Sequence, residues 1–233
     1  MSLRGWRHRT FSSLATPNYA RFFVGQALSL VGTWMQSVAV AWLVLQLTHS
    51  ASMLGITVAL QTLPMLLLGP YAGVVADRLN KRVLLIWTNS LSALLSLGLA
   101  GLAVTGMDTF PYVLLCVVVL GVINAFDQPT RQAFVREMVT EADVRNAVSL
   151  NAVLVNASRA VGPAVGGILI AAVGVSACFI VNSASYVAAI IALASMSVQQ
   201  LHRVAAPPRA PRQLRDGLAY VRRTPGLLVP LAM

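Results

Sequence analysis

The sequence predicts an all-α membrane protein with six transmembrane helices. Of its 233 residues, 57% are hydrophobic and only 10% are charged, whereas an average soluble domain carries about 25% charged residues. A soluble domain of this composition could not cover its own surface with polar groups, so the apolar residues are expected to face a lipid bilayer. A helix needs about 20 mostly apolar residues to cross the hydrocarbon core, and the chain contains six such runs.

Short polar or charged segments separate these runs from one another. The predicted spans, numbered one to six, cover residues 22–46, 53–76, 83–107, 110–132, 147–171 and 176–197. The chain is therefore predicted to consist of a tail, a transmembrane bundle, a linker and the start of a further apolar helix too short to cross a bilayer. These four segments are residues 1–21, 22–198, 199–224 and 225–233.

Within the linker, apolar residues recur at helical spacing. Leu214, Leu218 and Val221 fit a short amphipathic helix at the membrane interface, and a solvated linker explains them equally well.

The basic residues predict the orientation of the bundle. The net charge is +10, from 17 Lys and Arg against 7 Asp and Glu. All 17 except Arg159 fall in the N-terminal tail or in and around the connections after spans two, four and six. Positive loops stay in the cytoplasm, so the N-terminus and the linker are expected there. Because the charges form short clusters between apolar runs, nucleic acid is not an expected partner.

Span one carries a stripe of four polar residues, Gln26, Ser29, Thr33 and Gln36. Their spacing puts them on one helical face. Such a stripe either lines a water-filled cavity, which we favour, or bonds a neighbouring helix.

Span two ends in residues that recur every fourth position: Gly69, Gly73 and Asp77. The glycines permit close helix approach, which would put Asp77 on a packed face at the membrane edge. The basic residues that follow are Arg78, Lys81 and Arg82. A connection that merely obeys the positive-inside rule would explain the bases but not the acid.

Span four ends in a polar face formed by Asn124, Asp127, Gln128 and Arg131. Asp127 and Arg131 stand four positions apart and can neutralise each other. Asp127 lies ~25 Å along the helix from Phe110, close to the cytoplasmic side. Simple snorkelling of the charges to the interface is the alternative.

Span five carries a charge close to mid-membrane. Arg159 lies ~20 Å from the start of the span near Asn146, where an unpaired charge costs several kcal/mol. It needs a partner or a water-filled cavity, so a functional role is the first hypothesis, and a structural Arg bound to carbonyls or to Asp127 is the alternative. Ser158, Gly162 and Gly166 recur every four residues and predict a tightly packed face. Pro163 is expected to kink or loosen the helix at the same level.

The sequence offers no constellation for an enzyme. His8, His49 and His202 all lie outside the spans, and Cys116 and Cys178 lie in apolar runs without C-x-x-C spacing. A phosphate-binding loop and a nucleophile–base pair are also missing from the sequence, so we expect no enzyme activity, no cofactor and no metal.

Two segments resemble signatures of the major facilitator superfamily. Residues 73–82 read G-V-V-A-D-R-L-N-K-R and resemble the loop 2–3 signature G-x-x-x-D-R-x-G-R-R. Asn80 stands where the family usually has Gly. Because Asn tolerates left-handed backbone, we expect the turn to be kept. The span-five run R-A-V-G-P-A-V-G-G, from Arg159 through Gly162, Pro163 and Gly166 to Gly167, resembles the antiporter signature G-P-x-x-G-G, which is usual in exporters.

Two further segments narrow the resemblance. Residues 124–134, N-A-F-D-Q-P-T-R-Q-A-F, and residues 18–26, N-Y-A-R-F-F-V-G-Q, are similar to the branch that contains the enterobactin exporter and macrolide efflux proteins. The resemblance covers residues 15–225. Many drug/proton antiporters of the superfamily carry an Arg within span four. The interior of span four has none in this sequence, where Arg131 stands only at the cytoplasmic end. The proton-relay role of the family's Arg therefore does not carry over, and Arg159 is the alternative candidate for it.

The resemblance implies an N-terminal half of a twelve-span transporter, built from two inverted three-helix repeats. It implies a proton-driven exporter of small amphipathic compounds, such as a siderophore or a drug, in a bacterial inner membrane. Gly73, Asp77, Arg78 and Arg82 would form a cytoplasmic latch against the missing C-terminal half. A truncated inactive fragment, a half that works as a homodimer and an importer remain alternatives.

Overall fold

Six long helices dominate the computed structural model, which describes residues 12–201. All six are long and apolar enough to cross a membrane. They are α1 Pro17–Thr48, α2 Ala51–Arg78, α3 Lys81–Thr105, α4 Phe110–Met138, α5 Val144–Val173 and α6 Val175–Ala194, with short 3-10 turns at Ser12–Ala15 and Val198–Gln200. The prediction of six spans and an all-α fold is therefore confirmed. The predicted amphipathic segment 212–223 and the start of a seventh span lie outside the described residues.

Most helices continue past the limits of the predicted spans, whereas α3 ends at Thr105 instead of residue 107 and α6 ends at Ala194 instead of residue 197. α1 begins at Pro17 instead of residue 22, α4 continues to Met138 instead of residue 132, and α5 begins at Val144 instead of residue 147. A hydropathy criterion ends a span at the first charged residues, whereas the backbone hydrogen bonds continue. The extensions put most basic side chains of the described residues at one end of the bundle, where α1, α3 and α5 begin and α2, α4 and α6 end. We call it the basic end.

The connections at the opposite end are short and use residues that tolerate left-handed backbone. His49, with φ 50°, ends α1 by donating its N–H to the carbonyl of Leu45. Gly106, with φ 69°, ends α3 in the same way. Because such positions favour glycine or a residue that tolerates positive φ, these turns fix consecutive helices in antiparallel order.

The packing of the helices has an internal two-fold pattern. The main contacts pair α1 with α5 and α6, α4 with α2 and α3, and α3 with α6. If α1, α2 and α3 are exchanged for α4, α5 and α6, the α3–α6 contact maps onto itself and each of the other contacts maps onto another of them. Each triplet consists of three consecutive antiparallel helices, so the chain crosses the bundle three times within a triplet. The second triplet therefore begins at the opposite end of the bundle from the first triplet. The described bundle is thus a pair of inverted three-helix repeats that have exchanged their middle helices.

The interior contains two apolar clusters. One surrounds Met35, Leu99, Val117 and Phe179. The other lies at the basic end around Tyr19, Phe134 and Met138.

Buried polar residues fill the level between the two clusters, on α1, α3, α4 and α6. We call these residues the central polar layer: Gln26, Ser29, Gln36, Thr88, Asn89, Ser92, Ser96, Asp127, Thr130, Asn182 and Ser183.

The middle helices α2 and α5 are the least covered. In the most apolar 18-residue stretch of each helix, only 11% of the residues of α2 and 17% of those of α5 are buried. The corresponding fraction is 39% to 44% in the other four helices. On α2, Leu66 is 77% exposed and Leu67 is 67% exposed. These two helices therefore present apolar faces to lipid or to another helical bundle.

Gly121 is where α4 approaches α2 most closely, and it supports a stability prediction. A Cβ at this position would collide with the backbone of Gln61, which cannot yield unless α2 moves. We expect Gly121→Ala to lower the free energy of unfolding by about 1–3 kcal/mol, measured by thermal unfolding in detergent. Gly98 on α3 is the matched control, because a Cβ there meets nothing within 4 Å. Gly98→Ala should be neutral or stabilising, and equal effects of the two substitutions would contradict the predicted clash.

Candidate functional site

The central polar layer joins α1, α3 and α6 through the side chain of Gln36. Its Oε1 accepts hydrogen bonds from Ser96 Oγ and, at 2.6 Å, from Asn182 Nδ2. All three side chains are buried. In the described bundle Gln36 therefore bonds neighbouring helices and does not line an open cavity, which corrects the interpretation that we favoured from the sequence.

The other members of the span-one stripe have different surroundings. Ser29 is buried and Thr33 is half-buried. Thr33 Oγ1 donates to the carbonyl of Ser29 at 2.8 Å and shares a hydrogen bond of 3.2 Å with the Tyr186 hydroxyl of α6. Gln26 alone faces a cavity, and that cavity is small.

Asn182 and Ser96 were not among the predicted site residues. The signal was present for Asn182, which is a side-chain amide in the middle of the predicted span six. A polar group in that position needs a partner from another helix. Which helix provides it depends on packing that a single span does not reveal.

Asp127 and Arg131 form the ion pair that their spacing predicts. Asp127 Oδ2 accepts from Arg131 Nε at 2.9 Å and from Nη2, while its Oδ1 accepts from the Thr88 hydroxyl of α3 at 2.7 Å. The two side chains are only 8% and 14% exposed. Arg131 thus folds back onto the acid instead of snorkelling. The neighbouring predicted residues are less buried, since Asn124 is half-buried and Gln128 is exposed.

A small cavity adjoins this pair, between α1, α3, α4 and α6. Its volume is about 10 Å³, which is room for about one water molecule. Gln26, Asn89 and Arg131 provide its polar lining. Gln26 Nε2, Asn89 Oδ1 and Arg131 Nη1 are buried and have no hydrogen-bond partner among residues 12–201.

The basic residues of the loop 2–3 motif divide into two groups. Lys81 is buried in an ion pair with Glu137 of α4, with 2.8 Å between Nζ and Oε1. Arg82 donates from Nε and Nη2 to the carbonyls of Leu193 and Ala194, both at 2.7 Å. These two bases are therefore committed to contacts inside the bundle.

Asp77 and Arg78 are exposed at the basic end. A Cβ placed on Gly69 or Gly73 would meet nothing within 4 Å. The prediction that these glycines put Asp77 on a packed face is wrong for the described bundle. They lie on the outer side of α2, and the close α2–α4 contact is made by Gly121.

The turn between α2 and α3 is kept, although not through left-handed backbone at Asn80. This residue has φ −67° and ψ 107°, and its side chain accepts from the Val83 N–H at 3.3 Å. Asn80 is the N-cap of α3, a role for which Asn is among the preferred residues. The substitution of Asn for Gly thus fits the structure for a different reason from the one we expected.

Two arginines hold the C-terminus of α6 at the basic end. Arg82 bonds the last carbonyls of the helix, and Arg21 Nη1 of α1 donates to the carbonyl of Ser195 at 2.6 Å. Both satisfy carbonyls that have no partner within the helix and complement its negative end. In the sequence, Arg21 was visible only as one of the orienting charges.

Arg159 lies on the open side of α5. Its guanidinium carbon is 4.9 Å from the centre of the Trp34 ring of α1, and its side chain is exposed. Among residues 12–201 it forms no ion pair, since Asp127 is taken by Arg131. The proposed structural pairing of Arg159 with Asp127 is therefore absent.

The glycines of span five pack α5 onto α1, as predicted. A Cβ at Gly162 would lie 2.5 Å from Trp34 Cβ and 2.8 Å from the Val31 carbonyl, and one at Gly166 would lie 3.2 Å from the Met35 carbonyl. Gly167 faces open space. α5 continues as one helix through Pro163, so the close contact brings Arg159 over Trp34.

The described residues contain no group of three or more His, Cys, Asp or Glu side chains that could hold a metal ion. The arrangement supplies instead two buried ion pairs, buried amides and hydroxyls, and two sparsely covered helices. Inverted triplets around a polar interior are the repeat architecture of secondary membrane transporters. The chain belongs to the transmembrane secretion effector family of the major facilitator superfamily, because the family's sequence profile matches residues 8–232.

Relatives in this superfamily are named as transporters and efflux pumps. The staphyloferrin A transporter of Staphylococcus aureus is 29% identical over 73% of this chain and 43% of its own length. The multidrug efflux pump Tap of Mycolicibacterium fortuitum is 31% identical over 84% of this chain and 50% of its own length. Macrolide efflux protein A of Streptococcus pyogenes is 25% identical over 90% of this chain and 52% of its own length. The chain thus spans about half the length of these relatives.

Proposed function

We propose that the chain forms one six-helix half of a secondary active transporter, which exports small amphipathic compounds by alternating access. The observation that carries this proposal is the inverted-repeat bundle with α2 and α5 uncovered. These two helices would pack against a second six-helix half, of which residues 225–233 would begin the first span. Alternating access then follows from the rocking of one half against the other.

The orientation is part of the proposal. Arg21, Arg78 and Arg136 lie at the basic end, which would face the cytoplasm of a bacterial cell under the positive-inside rule. The exposed pair Asp77 and Arg78 would then form the cytoplasmic latch together with Gly73. Lys81 and Arg82 would support the latch from inside the bundle.

The proposed substrates are siderophores or drugs of amphipathic character, in keeping with the compounds for which the relatives are named. Arg159 would face the substrate cavity between the two six-helix halves, where its guanidinium could bind an acidic group of the substrate. The proposed energy source is the proton gradient.

Export is tested in cells that carry the native gene against cells that lack it. We expect cells with the gene to retain several-fold less of at least one of three probes: a macrolide, staphyloferrin A or an amphipathic cationic dye. An uncoupler should remove the difference. Equal retention of all three probes would reject the export function, and an uncoupler-insensitive difference would reject proton coupling.

The proposed second half is tested by the mass of the native protein, using an antibody against the N-terminal tail. A denatured mass of about twice 24.8 kDa supports a single twelve-span chain. A mass of 24.8 kDa would instead mean that the half is the natural product. Crosslinking of Leu66→Cys on the exposed face of α2 would then separate a homodimer from an inert fragment.

A further inference from the structure

Asp127 differs from every other acidic side chain in residues 12–201. Of these acids, only Asp127 and Glu137 are buried. Glu137 is paired with Lys81 in the last turn of α4. Asp127 lies about 15 Å deeper along the same helix, at ~1.5 Å per residue. It is therefore the one described acid in the central polar layer.

The carboxylate of Asp127 accepts hydrogen bonds from two other side chains. Two N–H groups of Arg131 and the Thr88 hydroxyl all donate to the carboxylate. The ionisable group of α6 that faces the pair is Tyr186, which is also buried. From α1 the neighbouring polar group is the neutral amide of Gln26. Tyr71 of α2 and Arg159 of α5 are on exposed sides of their helices.

The small cavity provides a second position for the guanidinium of Arg131. Arg131 Nη1 already lines it without a partner, and so does the acceptor Asn89 Oδ1. A shift of the guanidinium towards Asn89 would satisfy that acceptor and release one or both of the N–H groups on Asp127. The space also accommodates about one water molecule, which could connect Gln26 Nε2 to the same acceptor.

From this geometry we propose that Asp127 binds and releases the coupling proton, and that Arg131 alternates between Asp127 and Asn89. One proton adds to the Asp127 carboxylate and converts it to a carboxylic acid while Arg131 moves to the Asn89 carbonyl oxygen. The return of Arg131 expels the same proton, so no other bond forms or breaks. This inference rests on the proposed proton-driven transport for its physiological meaning, but protonation of Asp127 can be measured without any substrate.

The experiment is infrared difference spectroscopy of the complete protein in lipid, recorded as the pH is lowered. Several carboxyl groups protonate as the pH falls, so the carboxylic-acid band is compared between variants. We expect its Asp127 component to be present in the wild type and in Asp108→Asn, a matched control in the connection between α3 and α4, and to be absent in Asp127→Asn. Because that substitution leaves Arg131 without its counter-charge, the double variant Asp127→Asn/Arg131→Gln serves as a second test. Persistence of the full band in either Asp127 variant would overturn the proposal.

Asn89→Leu tests the movement of Arg131, because it removes the proposed second acceptor of the guanidinium. We expect this substitution to weaken the Asp127 component of the band. An unchanged component would rule out the alternation of Arg131 between Asp127 and Asn89.

The two hypotheses fail separately. If the band titrates as expected but efflux of the probe compounds does not depend on the proton gradient, Asp127 is a protonation site and proton-driven export is wrong. If efflux depends on the gradient but the band persists without Asp127, export stands and another group carries the proton.

Discussion

Asp77→Asn is expected to reduce export to near background while leaving the protein folded. Asp77 is exposed at the end of α2, and the described residues give it no ion pair. The substitution therefore removes nothing that holds this half together. In the proposed transporter, Asp77 bonds the opposite half when the cytoplasmic side is closed. A hydrogen bond to a charged group contributes about 1.5–3 kcal/mol, so its loss would shift the closed–open equilibrium about 10- to 100-fold.

The measurement compares efflux rate and thermal stability in the same membranes. Asp108→Asn makes the same chemical change at the opposite end of the bundle and should leave both quantities at the wild-type level. The interpretation requires that Asp77→Asn unfold at the wild-type temperature. Wild-type efflux in Asp77→Asn would contradict the proposed role of Asp77 in the cytoplasmic latch. A lower unfolding temperature would show that Asp77 has a structural role inside this half.

The number and order of the helices could be predicted because the bilayer imposes them. Each span must satisfy its backbone hydrogen bonds within itself, so about 20 apolar residues in a row are informative without any knowledge of their neighbours. The ends were less predictable. The extension of α4 to Met138 depends on hydrogen bonds beyond the apolar run and on the burial of residues such as Phe134 and Glu137 against neighbouring helices.

Contacts within one helix could be predicted, and those between helices mostly could not. The pairing of Asp127 with Arg131 follows from four-residue spacing. The Thr88 hydroxyl on the same carboxylate and the pairing of Lys81 with Glu137 join residues from different helices. Spacing along one span cannot indicate which neighbour that span will meet.

The glycines illustrate the same limit. Gly73 and Gly162 both occur in four-residue repeats of small residues, yet only Gly162 lies at a close contact, against Trp34 of α1. Gly121 was not singled out and lies closest to another backbone, that of Gln61. Small residues indicate that close approach is possible. The exchange of α2 and α5 between the two repeats decides where it occurs.

Arg159→Ala should lower export at least about tenfold without impairing insertion or stability. Arg159 is ~22 Å from the start of α5 at Val144, near the middle of the helix. A charge at that depth costs about 2.5–3.5 kcal/mol on insertion scales. The contact with the Trp34 ring returns only about 0.5–2 kcal/mol. Within this half the charge therefore has a net cost, and its removal should favour insertion.

A fall in export would then reflect a lost contact to the substrate or to the opposite half. A charge-assisted hydrogen bond of about 1.5–3 kcal/mol corresponds to a 10- to 100-fold effect. Arg145→Ala, at the basic end of the same helix, is the matched control and should export normally. Arg159→Lys keeps the charge without the two-point geometry of a guanidinium, so partial recovery would indicate that charge is the main requirement. If Arg159→Ala exported at the wild-type rate with unchanged stability, Arg159 would have no place in the transport path.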